Sequence, residues 1–154
     1  MAKAVLTQSY IALNGSDLSS SMTKAELTID VEAKDVTSFG SSGYKENLGG
    51  LKTGTLNLEF TNDYASGALD SVMFPLLGTT VTFEWRATQS AVSVNNPKYT
   101  GSVLITGWNA GGQVGEAAMV SVSFPTQGAV TRATACRGAR RGAAHADGRP
   151  ARDP

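Results

Sequence analysis

The sequence contains almost no cysteine or histidine, two residue types that often carry out catalysis or bind metals. Cys136 and His145 are the only cysteine and the only histidine among 154 residues. One cysteine excludes an internal disulfide, and one histidine near the C-terminus excludes a His-based triad or a His/Cys metal cluster in the folded part. A solvated tail residue is the favoured interpretation of His145. We therefore expect no enzyme activity, no metal and no cofactor.

Long apolar runs are also missing. No stretch approaches the roughly 20 residues that a membrane-spanning helix needs. The N-terminal residues 1–8 reach polar side chains before the apolar core of a signal peptide develops. The sequence thus predicts a protein that is neither secreted nor embedded in a membrane, and the single free cysteine fits synthesis in the cytoplasm.

Most of the chain has no excess of positive charge. Residues 1–132 carry eight Lys/Arg against eleven Asp/Glu, a net charge of −3, whereas residues 133–154 carry five Arg against two Asp. A nucleic-acid-binding domain usually has a basic body. Residues 133–154 also contain no Val, Ile, Leu or aromatic side chain, so we predict a folded domain over 1–132 and a disordered Ala/Arg/Gly-rich tail over 133–154.

The sequence does contain several patterns that are typical of β-strands. Apolar and polar residues alternate strictly over 24–34, 55–61, 81–88 and 118–124, and weaker signals cover 9–14 and 99–108. One apolar and one polar face per strand is typical of antiparallel sheets. A turn at 109–112 is expected to lead into the last strand as a hairpin.

One helix is predicted between the second and third long strands. Its apolar residues have helical spacing, its start has several candidate caps, and Pro75 and Gly78 close it. The apolar residues are Leu69, Val72, Met73 and Leu76, and the candidate caps are Asn62, Asp63 and Ser66. The predicted fold class is mainly β, with two packed antiparallel sheets (a sandwich or half-barrel) and one short flanking helix.

A Gly/Ser-rich link over residues 37–50 joins two strong strands. Loops of this length inside a domain are uncommon and usually functional or disordered. Phe39, Tyr44 and Leu48 lie in it, and a solvated linker has no need of such side chains. We predict that these three residues have an interaction role.

Other candidate sites have simpler interpretations. The glycine-rich segment 107–112 lacks the Lys-Ser/Thr of a phosphate loop and precedes a strand. Trp85 is in phase with core positions, whereas hairpin packing and subunit contact are equally good interpretations of Trp108. Acidic residues dominate the polar strand faces, where solvation is a better interpretation than a carboxylate site; they are Glu26, Asp30, Glu32, Glu59 and Glu84.

The order of elements resembles the tail tube (major tail) proteins of long-tailed bacteriophages. Two stretches are most similar to that family. They are Tyr99-Thr100-Gly101-Ser102-Val103-Leu104-Ile105-Thr106 and Val120-Ser121-Val122-Ser123-Phe124-Pro125-Thr126-Gln127-Gly128-Ala129-Val130-Thr131. The resemblance covers roughly residues 5–132, and the Ala/Arg/Gly-rich tail departs from it.

The resemblance implies a structural virion protein that forms stacked hexameric rings. Its partners would be copies of itself, the tape-measure protein and other tail proteins, and viral DNA would pass through the tube without specific binding. The long loop would contact a neighbouring subunit or ring, and the five acidic residues would face the lumen. Assembly would take place in the host cytoplasm.

Three alternatives remain open at this point. A tail-completion or secretion-system tube protein would share the fold. An isolated β-sandwich module binding carbohydrate or protein would be a stable monomer, which solution size distinguishes from a ring. An enzyme is a distant third.

Overall fold

The structure is a computed structural model that describes residue 3 and residues 5–134. Its elements are β1 Tyr10–Leu13, β2 Ser16–Asp17, β3 Met22–Asp35, β4 Asn47–Thr61, α1 Leu69–Met73, β5 Thr80–Arg86, β6 Lys98–Leu104 and β7 Met119–Ala133. All strand pairs are antiparallel, in the order β2-β1-β5-β6-β7-β4-β3. The predicted mainly β class with one short helix is confirmed. Apart from residues 133 and 134, the predicted disordered tail lies outside the described residues.

Strand β7 joins the two predicted sheets into one. Its residues 119–125 pair with β4, and its residues 126–133 pair with β6 across an irregular register. Gly128 has a left-handed φ of +74° at this irregularity, a conformation that glycine adopts without strain. We call β3, β4 and residues 119–125 the arm half. We call β1, β2, β5, β6 and residues 126–133 the body half.

Both halves direct their apolar faces into a single core. Most of the alternating apolar residues predicted in 55–61, 81–88 and 118–124 are buried there, and they are joined by two residues of α1. The burial predicted for the apolar face of 24–34 is wrong: Ala25 and Leu27 are only partly buried, and Ile29 and Val31 are 46% and 51% exposed. The main contributors are Ile11, Leu13, Leu56, Leu58, Phe60, Leu69, Met73, Val81, Phe83, Val103, Val120, Val122 and Phe124. The two halves face each other, because Leu27 of β3 and Trp85 and Tyr99 of the body half line one common groove. The polar faces of the halves therefore point away from each other.

Two loop predictions were wrong in length. The predicted loop 37–50 spans only 36–46, because Leu48 pairs with Lys34 and Gly49 with Ala33 to extend β4. The predicted tight turn at 109–112 is part of a longer loop over 105–118. That loop is long because the first part of β7 pairs with β4 before the strand reaches β6.

The helix is shorter than the sequence predicts. It begins after Ala68, which makes no side-chain cap, and a 3-10 turn over 74–76 follows it. Asp63 accepts a hydrogen bond from the Ala65 N–H at 2.9 Å and so stabilises an earlier turn. The predicted capping by residues 62, 63 or 66 is therefore wrong, while burial of Leu69 and Met73 is confirmed.

Candidate assembly surfaces

Strands β3 and β4 continue well beyond the region in which β4 pairs with β7. Pairing of β7 with β4 stops where Pro125 meets Thr55. The hairpin from 29 to 54 continues as a two-stranded projection, which we call the arm. At about 3.3 Å per residue it extends roughly 20 Å past the end of this pairing.

The far part of the arm exposes large apolar side chains. Phe39 is fully exposed, and Tyr44 and Leu48 are 79% and 63% exposed. Leu51, which sequence reasoning missed, is 78% exposed. Soluble monomers seldom keep such a cluster free in solvent. The three residues predicted to contact another subunit thus all lie at the end of one projection, which we call the arm tip (residues 36–48).

The loop at the arm tip is held in shape by its own hydrogen bonds. The Val36 N–H donates to the Glu46 carbonyl at 2.9 Å, and the Glu46 N–H donates to the Thr37 hydroxyl at 3.0 Å. Asp35 accepts from the hydroxyl and the N–H of Thr37. These bonds, the hydroxyl's first, hold the pKa of Asp35 below its ordinary value. The exposed aromatic rings are consequently presented from a defined backbone.

Acidic side chains dominate the polar face of the arm half. Lys24 lies 3.8 Å from carboxylate oxygens of both Glu26 and Glu59, and Lys34 pairs with Glu32. Within the part of the chain that the structure describes, Asp30 has no cation within 4.0 Å. Four of the five predicted lumen residues therefore share one strand pair, with a net charge of −2 once the two lysines are included.

Glu84 belongs to a different surface. It lies on β5 in the body half, 3.3 Å from Arg86 and 3.8 Å from Lys98. The Arg86 guanidinium also stacks over the Tyr10 ring at 4.0 Å. Because the two polar faces point apart, Glu84 lies on a different surface of the single chain from the other four residues. Alternation shows which residues share a strand face but not how two halves pack, and the lumen position of all five residues stays a prediction.

The two edges of the sheet differ in length. At one edge β2 has two residues, whereas at the other β3 has fourteen and pairs only with β4. An exposed edge strand offers unpaired backbone N–H and C=O groups to another chain. The sequence signalled this strand clearly but contained no sign that it would lie at an edge.

Exposed apolar side chains also occur at the opposite end of β4 from the arm tip. The segment 62–79, which contains α1, meets the loop 105–118 there: Trp108 Nε1 donates to Asp70 Oδ1 at 2.9 Å, and the Gly111 N–H donates to the Tyr64 hydroxyl at 3.1 Å. Trp108 therefore packs within the subunit. The exposed apolar residues around these loops, which we call the base patch, are Tyr64, Phe74, Leu77, Val114 and Met119.

Residues 3 and 5–134 contain no group of three His, Cys, Asp or Glu placed to hold a metal ion. No helix within the same residues has the length and apolar character to cross a membrane.

Comparison with solved structures identifies the fold. A chain from the virion of a native gene transfer agent particle superposes with a TM-score of 0.69 at 17% identity, covering 85% of this chain and 99% of that one. A chain from the tail of an empty gene transfer agent particle, with C6 symmetry and helical refinement, gives a TM-score of 0.58 at 18% identity, covering 72% and 81%. No protein-family model matches the sequence, and no curated protein is detectably similar to it.

Proposed function

We propose that this chain is a non-enzymatic structural subunit that assembles with copies of itself into hexameric rings, stacked as a phage-type tail tube. The observation that carries the proposal is an ordered, apolar-tipped arm on a fold shared with a chain of a C6-symmetric tail. The tube resides in the virion tail, is assembled in the host cytoplasm and surrounds a tape-measure protein. Its bore conducts DNA.

The arm tip is the contact to another subunit. Phe39, Tyr44 and Leu48 are exposed in the single chain, and burying them against a neighbour removes apolar area from water at about 25 cal/mol per Å². The internal bonds of the loop reduce the conformational entropy that ordering on assembly would cost.

The long edge of β3 supports lateral assembly. In a closed ring the β3 edge of each copy meets a different surface of the next copy, because a cyclic contact of six copies is heterologous, so that no copy retains a free β3 edge. The cyclic order of six is taken from the C6 symmetry of the similar tail.

The polar face of the arm half forms the lumen wall in this proposal. Glu26, Asp30, Glu32 and Glu59 outnumber Lys24 and Lys34 there. An acidic wall does not bind DNA, because it has few cations to displace the counterions condensed on the phosphates.

The first experiment is to determine the size and shape of the purified full-length chain. Sedimentation velocity and negative-stain microscopy should reveal sixfold rings or tubes. The variant Phe39→Ser/Tyr44→Ser should fold normally, because both side chains are exposed, but should assemble poorly. Val5→Ser/Val94→Ser removes two exposed apolar residues outside the arm and is the matched control. A wild-type monomer that binds a carbohydrate or protein ligand would refute the tube.

The second experiment tests which face lines the bore. In a Cys136→Ser background, Asp30→Cys places a thiol on the polar face of the arm half, and Thr82→Cys places one on the polar face of the body half. A thiol reagent too bulky for the bore should label Thr82→Cys equally in tubes and in free subunits. It should label Asp30→Cys only in free subunits. Equal labelling of Asp30→Cys in both forms would contradict the lumen assignment.

A further inference from the structure

The polar face of the arm half is exposed and carries more carboxylates than lysines. Its charged residues are Glu26, Asp30, Glu32, Glu59, Lys24 and Lys34. Among the described residues, Asp30 has no cation within 4.0 Å. Asp30 pairs with Thr53, an exposed residue of β4, and residues paired in this way share a face of the sheet. The polar face therefore has an unneutralised carboxylate on the arm.

Residues 135–154, which we call the basic tail, complement this face in composition. They lie outside the described residues. They contain five Arg and two Asp, and no Val, Ile, Leu or aromatic residue. The basic tail thus has no side chains with which to fill an apolar groove, and charge is the property through which it can bind. Guanidinium groups bind carboxylates through two parallel hydrogen bonds.

The basic tail begins close to the arm half. The last described residue, Thr134, comes four residues after Val130. Val130 and Thr53 line one cavity between the two halves. Since the 20 residues of the tail can extend at most about 70 Å, they can reach every carboxylate of the polar face. Attachment to the same chain gives the tail an effective concentration of the order of millimolar at this face.

The polar face of the body half is a poorer partner for the basic tail. The charged residues on its strands are Asp17, Glu84, Arg86 and Lys98, which leave no net charge. Glu84 lies 3.3 Å from Arg86 and 3.8 Å from Lys98, so its carboxylate is already neutralised. The same two cations repel the guanidinium groups of the tail. Of the two polar faces, charge therefore favours the arm half.

We propose that in the free subunit the basic tail binds the polar face of its own arm half and is thereby kept from binding nucleic acid. Clusters of basic residues at a chain terminus are typical of nucleic-acid-binding arms. Phosphates compete with carboxylates for the same guanidinium groups, so the acidic face holds the tail in an autoinhibited state. The contact is made within one chain and does not require the proposed tube.

Cross-linking in free full-length subunits, isolated by size-exclusion chromatography, tests the contact. In a Cys136→Ser background, Thr53→Cys places a thiol beside Asp30, and Ala146→Cys places one in the middle of the tail. A short bifunctional thiol reagent should join the two within one chain. The yield should fall at least about fivefold between about 20 mM and about 500 mM salt, because salt screens exposed charges. Thr82→Cys/Ala146→Cys probes the body half and should give a low yield at both salt concentrations.

A tail of equal length and lower charge separates the effect of charge from that of reach. Arg140→Gln/Arg141→Gln/Arg149→Gln leaves two Arg and two Asp in the tail. This variant should lower the low-salt yield to the high-salt level, whereas lysine at the same three positions should retain most of it. A yield that depends on neither salt nor these arginines would overturn the inference. Cross-links formed only between copies would also overturn it.

DNA binding by the same free subunits tests the autoinhibition. Glu26→Gln/Asp30→Asn/Glu32→Gln removes three exposed carboxylates and should release the tail, so that affinity for a double-stranded oligonucleotide rises about fivefold or more at low salt. With the three Arg→Gln substitutions also present, the same change should have little effect, which distinguishes release of the tail from reduced repulsion.

The opposite results are equally clear. DNA binding that needs the three arginines but is unchanged by the carboxylate substitutions would show that the tail binds nucleic acid without autoinhibition, and would reject the proposal. A chain that never forms rings would refute the proposed tube and leave both tests of the tail valid.

Discussion

Strand β4 contains two regions that share a partner strand but differ completely in environment. In residues 55–61, Leu56, Leu58 and Phe60 are at most 1% exposed. In residues 47–54, Leu48 and Leu51 are more than 60% exposed. Both regions pair with β3, with a register shift near residues 50 and 51 in the arm. The difference arises because only the first region is covered by β7, the body half and α1.

The comparison separates two uses of apolar residues. In the covered region they stabilise the single chain, and in the arm they are available for contact between chains. Mutations in the covered region should therefore change the free energy of unfolding, whereas mutations in the arm should change assembly.

The largest expected effect is in the covered region. Phe60→Ala removes a fully buried ring and should lower the free energy of unfolding by about 3–5 kcal/mol. Leu51→Ala, in the arm, should change it by no more than about 0.5 kcal/mol. Urea unfolding of non-assembled protein measures both. Similar losses in the two variants would show that the arm folds back onto a core.

A substitution at Gly54, at the boundary between the regions, should have the next largest effect on stability. A Cβ there would lie 2.6 Å from Thr126 Oγ1, where β7 crosses from one half to the other. Gly54→Ala should therefore destabilise the chain by about 1–3 kcal/mol, and Thr126→Ala should partly restore stability in the double variant. At Gly49 in the arm, the nearest atom would be 3.6 Å away, so Gly49→Ala is the thermal-unfolding control. Equal melting temperatures for the two single variants would contradict this packing.

The loops of the two halves offer a third contrast. Asn96 is buried and holds the loop 87–97, donating to the Ser90 carbonyl at 2.9 Å and the Ala91 carbonyl at 3.3 Å. Asn96→Ala should cost about 1–3 kcal/mol, because the loop loses the hydrogen bonds that the buried Asn96 side chain makes. Thr37→Ala breaks the bonds of the exposed arm loop, whose carbonyls water can reach, and should cost less in the same denaturant titration. The reverse order would show that the arm loop is the more tightly packed.

The smallest expected effect is the pH response of the arm tip. Since the folded pKa of Asp35 lies below 3.8, its stabilising bonds are fully present above pH 3.8 and are lost as the pH falls through the folded value. Amide NMR shifts of Thr37 and Glu46 should follow this titration, while those of the core strands stay constant. Asp35→Asn should abolish the response. A shift midpoint above 3.8 would contradict the assigned hydrogen bonds.

Local pattern predicted much of the fold and part of the site. Strict alternation over 24–34 and 55–61 identified both strands, because side chains alternate along any strand. It identified the buried face correctly only in 55–61, since no other strand covers most of the apolar face of 24–34. Phe39, Tyr44 and Leu48 were singled out because apolar residues in a Gly/Ser-rich segment need a partner, and the structure shows that they are exposed. The extension of β4 through 47–50 was missed, since Gly49 and Gly50 have little strand preference and only pairing with β3 orders them.

By itself, the sequence determined the strand faces, the antiparallel class, the apolar content of the arm and the scarcity of catalytic residues. These follow from residue type and spacing, which act locally. The tertiary structure alone decided that β7 would join both halves, that β3 would lie at an edge, and that Glu84 would face away from Glu26 and Asp30. These outcomes depend on which strands pair and how the sheet folds over its core, and such long-range contacts leave no periodic trace in the chain.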